Sequence, residues 1–273
     1  AGVDSITALG STGSYAYLTA DERRRVARLA LAHAGSTPVF VGVGALRTSH
    51  VLALARDAQD AGAAAVLVAP VSYQPLTDDD VFGLFDELTA AVEVPVIVYD
   101  NPGTTRFDFT DALYARIAQL PGVASIKIPG VPVDPDAARA RVDGIRNALP
   151  PGVTIGVSGD ASAATGLNAG CDAWYSVIAG TLPEPAVALT RAARSGDAAA
   201  AVAVSDRLQP LWELFAEFGG SFRVIAAIAG YDLSEADMDV SFSATNTYCS
   251  AAEHMTLREI VQALLETYCG TIG

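Results

Sequence analysis

Short, unbroken apolar runs alternate with amphipathic segments along most of this chain, and that alternation limits the folds open to it. The runs are residues 4–9, 39–42, 65–69, 94–99, 123–128, 154–158 and 173–178. They are rich in Val, Ile and Ala and show little polar alternation, the pattern of parallel strands buried on both faces. The segments between them carry helix signals. Thr19 and Glu22 are spaced as a capping box ahead of a helix over 23–34, which Gly35 closes. Ser49 precedes a helix over 50–61, and Thr77 caps one over 78–91 whose first turn holds three aspartates. Thr110 precedes a helix over 111–120, and Asp134-Pro135 opens one reaching about residue 149.

Strand and helix thus repeat from about residue 4 to residue 195, with a period of about 27 residues. An open doubly wound sheet and a TIM (β/α)8-type barrel both fit. No Gly-x-Gly-x-x-Gly follows the first run, which removes support for a dinucleotide-binding sheet and favours the barrel. A barrel needs an eighth unit. Ala1-Gly2 reads as the tail of a preceding helix, so residues 1–195 are expected to supply units two to eight, with the first βα unit missing. C-terminal helices of the same domain follow over 196–230, including an aromatic-rich one at 210–218 expected to pack in the core and another at 221–229. Residues 231–273 form an atypical extension: a polar, acidic stretch and a final amphipathic helix over 255–268.

One of the seventeen basic residues is a lysine, and it lies inside the fifth strand, in Val123-Ala124-Ser125-Ile126-Lys127-Ile128. A primary amine in such a run is costly to bury unless it is paired or made neutral. A neutral amine is a nucleophile toward carbonyl carbon, which makes Lys127 the candidate catalytic group.

The net charge of −14 offers no basic stripe for phosphates, which argues against nucleic acid as a partner. No long uncharged apolar run predicts a membrane span, and no signal peptide opens the sequence. Three cysteines (Cys171, Cys249, Cys269) and three scattered histidines (His33, His50, His254) lack metal-ligand spacing. The odd thiols fit a reducing compartment, and a cytoplasmic location is expected.

Reactive groups of parallel α/β folds gather at the C-terminal ends of strands. The first strand ends in Gly10-Ser11-Thr12-Gly13, a small-residue turn able to cradle a carboxylate. The fourth ends in Tyr99-Asp100-Asn101-Pro102, and the sixth in Ser158-Gly159-Asp160, where Asp160 reads as a cap for the next helix. With Lys127 and Gly170-Cys171-Asp172-Ala173-Trp174-Tyr175-Ser176, these stretches resemble the pyruvate-dependent class I aldolase family that includes dihydrodipicolinate synthase and N-acetylneuraminate lyase. The resemblance covers about residues 1–230. It implies a Schiff base at Lys127, proton transfer by Tyr99, carboxylate binding by Ser11 and Thr12, and a pocket wall from the backbone around Tyr175. It implies small-molecule partners, a 2-oxo acid and an aldehyde, with no cofactor and no metal, and a homo-oligomer built as a dimer of dimers.

The second-substrate side departs from that family. Ser72 stands where dihydrodipicolinate synthases carry an intersubunit tyrosine, and Thr104 where they carry an arginine. Ile128-Pro129 replaces Glu-Ala after the lysine, and Ala161 replaces the glutamate of sialic-acid lyases. Residues 231–273 weakly resemble a segment of the decarboxylating component of 2-oxoglutarate dehydrogenase, without a thiamine-binding motif; no dehydrogenase activity follows. The leading expectation is a Schiff-base lyase or aldolase acting on pyruvate or a related 2-oxo acid. Dihydrodipicolinate synthase itself is one alternative, and a truncated or fused barrel without catalysis, or one that only binds a small ligand, is another.

Overall fold

The computed structural model describes residues 1–13 and 15–217. Strand β1 (Ile6–Ala8) leads to helix α1 (Ala20–His33), β2 (Val39–Gly42) to α2 (Thr48–Asp60), and β3 (Ala65–Val68) to α3 (Asp78–Ala91). β4 (Val96–Tyr99) is followed by the short α4 (Pro102–Thr105) and α5 (Asp111–Ala118). β5 (Val123–Ile128), α6 (Pro135–Ala148), β6 (Thr154–Val157), α7 (Ala163–Asn168) and β7 (Ala173–Trp174) come next. Three helices close the described chain: α8 (Pro183–Arg194), α9 (Ala198–Arg207) and α10 (Gln209–Glu217).

Among the described residues the seven strands are all parallel and lie in chain order, β1 to β7. Connections between parallel neighbours are right-handed almost without exception, so this order stacks every helix on one face of the sheet. The other face stays dry only if the sheet curls on itself, and it does. Ala65, Leu67, Ala69, Ile97 and Tyr99 form an inner cluster that also holds Phe40 of β2 and Tyr175, which follows β7. The alternate residues, among them Val66, Val68, Val96, Val98, Ile155 and Val157, pack outward on the helices in the main core. Among the described residues, β1 and β7 each have one strand neighbour.

The helix starts follow from their caps. Thr19 with Glu22, and Thr77 with Asp80, form reciprocal capping boxes. Thr110 accepts from the Leu113 amide and Asp134 from the Ala137 amide. α2 is an exception. Its cap is Arg47, the last residue in extended conformation and one without a side-chain capping bond, so Thr48 and Ser49 already lie within the helix. α9 and α10 pack on α7 and α8 through Leu167, Leu189, Ala201, Val204, Leu208 and Trp212. The Trp212 indole donates to the Ser205 carbonyl and hydroxyl, which is the core role expected of the aromatic-rich helix. The expected helices at 221–229 and 255–268 lie outside the described residues.

Candidate active site

A β-bulge decides which way Lys127 points. Val96 pairs with Val123, but the next residue, Ile97, pairs with Ser125, leaving Ala124 unmatched on β4. Regular pairing would set Ile126 opposite Tyr99 and turn Lys127 toward the helices, because side chains alternate with period two. With the bulge, Ile126 and Ile128 face outward into the main core, and Lys127 lies inward, in register with Tyr99.

Lys127 Nζ sits 3.7 Å from the centroid of the Tyr99 ring and 5.5 Å from that of Tyr175. On its other side the residue in register is Gly156. A Cβ there would overlap Cε2 and Cδ2 of Tyr175, so the glycine is what lets that ring lie inside the sheet beside the lysine. The Tyr175 hydroxyl donates to Ser125 Oγ at 3.1 Å, and Ser125 donates to the Thr154 carbonyl at 3.3 Å. Burial lowers the Lys127 pKa; Tyr99 and Asp160 oppose that shift.

Tyr99 joins Lys127 to the first strand end. Asn101 Nδ2 donates to the Tyr99 hydroxyl at 2.9 Å, and that hydroxyl lies 3.3 Å from Ser11 Oγ. With Asn101 donating, the Tyr99 proton is free to point at Ser11. Ser11 and half-buried Thr12 lie in one tight turn, closed by the Gly13 amide on the Gly10 carbonyl. Leu9 enters this turn with φ +59°, a left-handed conformation that strains a bulky side chain. The Leu9 carbonyl then occupies the space a Cβ at Gly42 would need, so the turn requires a glycine on β2.

The structure assigns Asp160 a different task from the helix cap read in the sequence. α7 begins after Ser162, and buried Asp160 reaches instead to the chain leaving β7. Its carboxylate accepts from the amides of Val177 and Ile178 and from the Trp174 indole, at 2.8–3.1 Å. This also ends β7 at Trp174, short of the expected residue 178, because those amides turn to the carboxylate rather than to β6.

Lys127, Tyr99, Ser11 and Tyr175 therefore converge at the C-terminal mouth of the sheet, with Thr12 in the adjoining turn. Ser72 accepts from the Gln74 amide within its own loop, and Tyr73 is 90% exposed. Thr104 accepts from Asn101. The sequence reading assigned no role to Ser125, Gly156 or Asn101. Alternation along β5 signals Ser125, since it shares a face with Lys127; the need for Gly156 appears only once Tyr175 is in place. Among the described residues no cluster of His, Cys, Asp and Glu could hold a metal ion, and no helix is long and apolar enough to cross a membrane.

Residues 1–240 match the model of the dihydrodipicolinate synthetase family, which extends past residue 230. A 4-hydroxy-tetrahydrodipicolinate synthase of Methylococcus capsulatus is 34% identical over 218 residues, 79% of this chain and 73% of that protein. The crystal structure of a dihydrodipicolinate synthase from Agrobacterium tumefaciens is similar at TM-score 0.84 and 42% identity, over 96% of this chain and 86% of that one. A prophage protein of the dihydrodipicolinic acid synthase family from E. coli K12, solved in complex with pyruvate, is similar at TM-score 0.83 and 26% identity, over 96% and 87% of the two chains.

Proposed function

The chain belongs to the dihydrodipicolinate synthetase family and is an enzyme, a Schiff-base lyase of the aldolase type, and from that premise we propose that Lys127 is its nucleophile toward pyruvate or a related 2-oxo acid. The observation that carries this is the position of the lone lysine, turned inward by the bulge and set against a tyrosine linked to Ser11. Ser11 and Thr12 hold the acid's carboxylate, which brings the keto carbon to Nζ. Burial lowers the amine's pKa and so favours the neutral form needed for attack. The C–N bond forms, the keto oxygen leaves as water, and the iminium draws electrons from the neighbouring carbon. That carbon loses a proton and adds to an aldehyde, or the reverse sequence releases one. Tyr99 moves the protons, with Asn101 fixing its hydroxyl.

The reaction for which the curated relatives are named, 4-hydroxy-tetrahydrodipicolinate synthesis, is the second reading. Thr104, engaged by Asn101, offers no cation for a second carboxylate, which favours an aldehyde without one. Substrate selection is therefore proposed only to the level of a 2-oxo acid and an aldehyde. The fold is read as units two to eight of a TIM-type barrel, with the remaining strand belonging between β1 and β7; parallel order and curling support it. The domain reading follows: units over 1–195, C-terminal helices over 196–230 supported by the packing of α9 and α10, and an extension over 231–273.

The proposed assembly is a dimer of dimers. It rests on the family resemblance. The proposed location is the cytoplasm, in keeping with the odd number of cysteines. Treatment with pyruvate and borohydride tests the chemistry. The expected product is one reduced adduct on the Lys127 peptide; an unmodified peptide under saturating pyruvate rejects the proposal.

A further inference from the structure

Tyr175 is half-buried, with its ring beside the site and its hydroxyl turned onto Ser125. The hydroxyl is spent on Ser125, one residue pair deeper on the same face as Lys127. The ring packs with the inner cluster formed by residues of β3 and β4 and sits over the space left by Gly156. What it presents to the site is a π-face 5.5 Å from Lys127 Nζ, while Tyr99 presents its own ring at 3.7 Å. Both lie within the roughly 6 Å over which a cation is held by an aromatic face. Burial also raises the Tyr175 pKa, so the ring stays neutral.

We infer that Tyr99 and Tyr175 form an aromatic clamp on the charged nitrogen of Lys127, and that Tyr175 is a positioning residue that favours the iminium over the free amine. This rests on the Schiff-base reading above. In forming the iminium, the amine and keto acid take up one proton and release one water, and the nitrogen gains a permanent positive charge in a desolvated place. Asp160 is the charged group whose field reaches Lys127, and it is already bound to two amides and an indole. The Tyr99 hydroxyl also favours the charged nitrogen, and the two ring faces add to it. A cation–π contact in a desolvated site is worth about tenfold or more in an equilibrium.

The single lysine makes the test direct. Lysine carrying ¹³C at Cε gives one side-chain signal, whose pH titration reports the Lys127 pKa. Borohydride trapping over a pyruvate series, at a pH above the wild-type titration midpoint so that the resting amine is neutral and the charge appears only with the iminium, gives the half-saturating concentration for the adduct. Tyr175→Phe keeps the π-face and is expected to match the wild type in both readouts. Tyr175→Leu is expected to raise half-saturation about tenfold and to lower the titration midpoint by about one pH unit, since the cation loses its partner. A merely structural role for the ring would not move the midpoint in that direction. If Tyr175→Leu does not melt cooperatively, Tyr175→Met, closer in volume and without a π-face, must show the same two shifts. Two outcomes overturn the clamp: the aliphatic variant stays within twofold of wild type, or Phe is as damaging as Leu. Absence of any adduct in the wild type instead rejects the Schiff-base reading, and the titration midpoints still decide the clamp.

Discussion

Tyr114 donates its hydroxyl proton to one oxygen of the Asp100 carboxyl, while the other oxygen is buried without a hydrogen-bond partner. Asp100 follows Tyr99, and its own amide donates to the Lys127 carbonyl at 3.0 Å, so this carboxyl is tied to the two strand ends that carry the site. Burial pushes its pKa up to about 6 from an ordinary value of 3.8; the Tyr114 bond opposes the shift. The folded protein thus binds this proton more tightly than the unfolded chain does. Its stability is full below about pH 4, falls as pH rises toward 6, and stays lower above that, by about 3 kcal/mol at most. Asp100→Asn keeps an acceptor for Tyr114 and removes the charge. Urea unfolding at pH 5 and pH 7.5 is expected to show the variant gaining on wild type by about 1–3 kcal/mol at the higher pH, and less at the lower. Equal differences at both pH values would place the strain elsewhere. The sequence reading gave Asp100 no role. It did not reveal Tyr114, fourteen positions away on α5.

At the scale of elements, strands and helix starts were the most legible features. β2 and β5 have the bounds read from their apolar runs, and the Thr19 box and the Thr77 cap formed as read, the latter also as a box with Asp80. Such signals are local: a side chain three residues from an amide needs no distant partner. Features set by neighbouring strands were not legible. The unmatched Ala124 of β5 has nothing in its own sequence to mark it, and yet it turns Lys127 inward. The shortening of β7 came from Asp160, more than a dozen residues earlier in the chain. The contact between β6 and the chain leaving β7 gives a prediction at this scale. Gly156→Ala places a methyl group against the Tyr175 ring. It is expected to destabilise the fold by about 1–3 kcal/mol, measured by denaturant midpoint at unchanged m-value. Pairing it with Tyr175→Leu, which makes room, should recover part of that loss; full additivity of the two would mean that the residues do not compete for space.

For the whole molecule, curling of the sheet encloses the lysine amine with side chains drawn from strands far apart in sequence. Ligand binding at such a place should couple to global unfolding. Pyruvate near a hundredfold over its dissociation constant is expected to raise stability by about 2.7 kcal/mol. A thermal melt would show this as a rise in Tm in the wild type and a much smaller one in Lys127→Ala, which keeps only the carboxylate contacts. An equal rise in both would assign the binding to something other than the amine. The sequence by itself determined the order of the elements and the parallel β/α class, and it marked Lys127, as a lone amine in an apolar strand, and Tyr99, Ser11 and Thr12, through the family resemblance, as the candidates for the site. Periodicity and capping are short-range effects, and a lone amine in an apolar strand stands out without knowledge of its surroundings. Tertiary structure alone decided that Lys127 faces inward, that Gly156 and Ser125 seat the Tyr175 ring beside it, and that Asp160 holds the loop carrying that ring. Each of these depends on register or close approach between strands joined only through the sheet, and no local pattern encodes how a bulge or an absent Cβ will be matched across it.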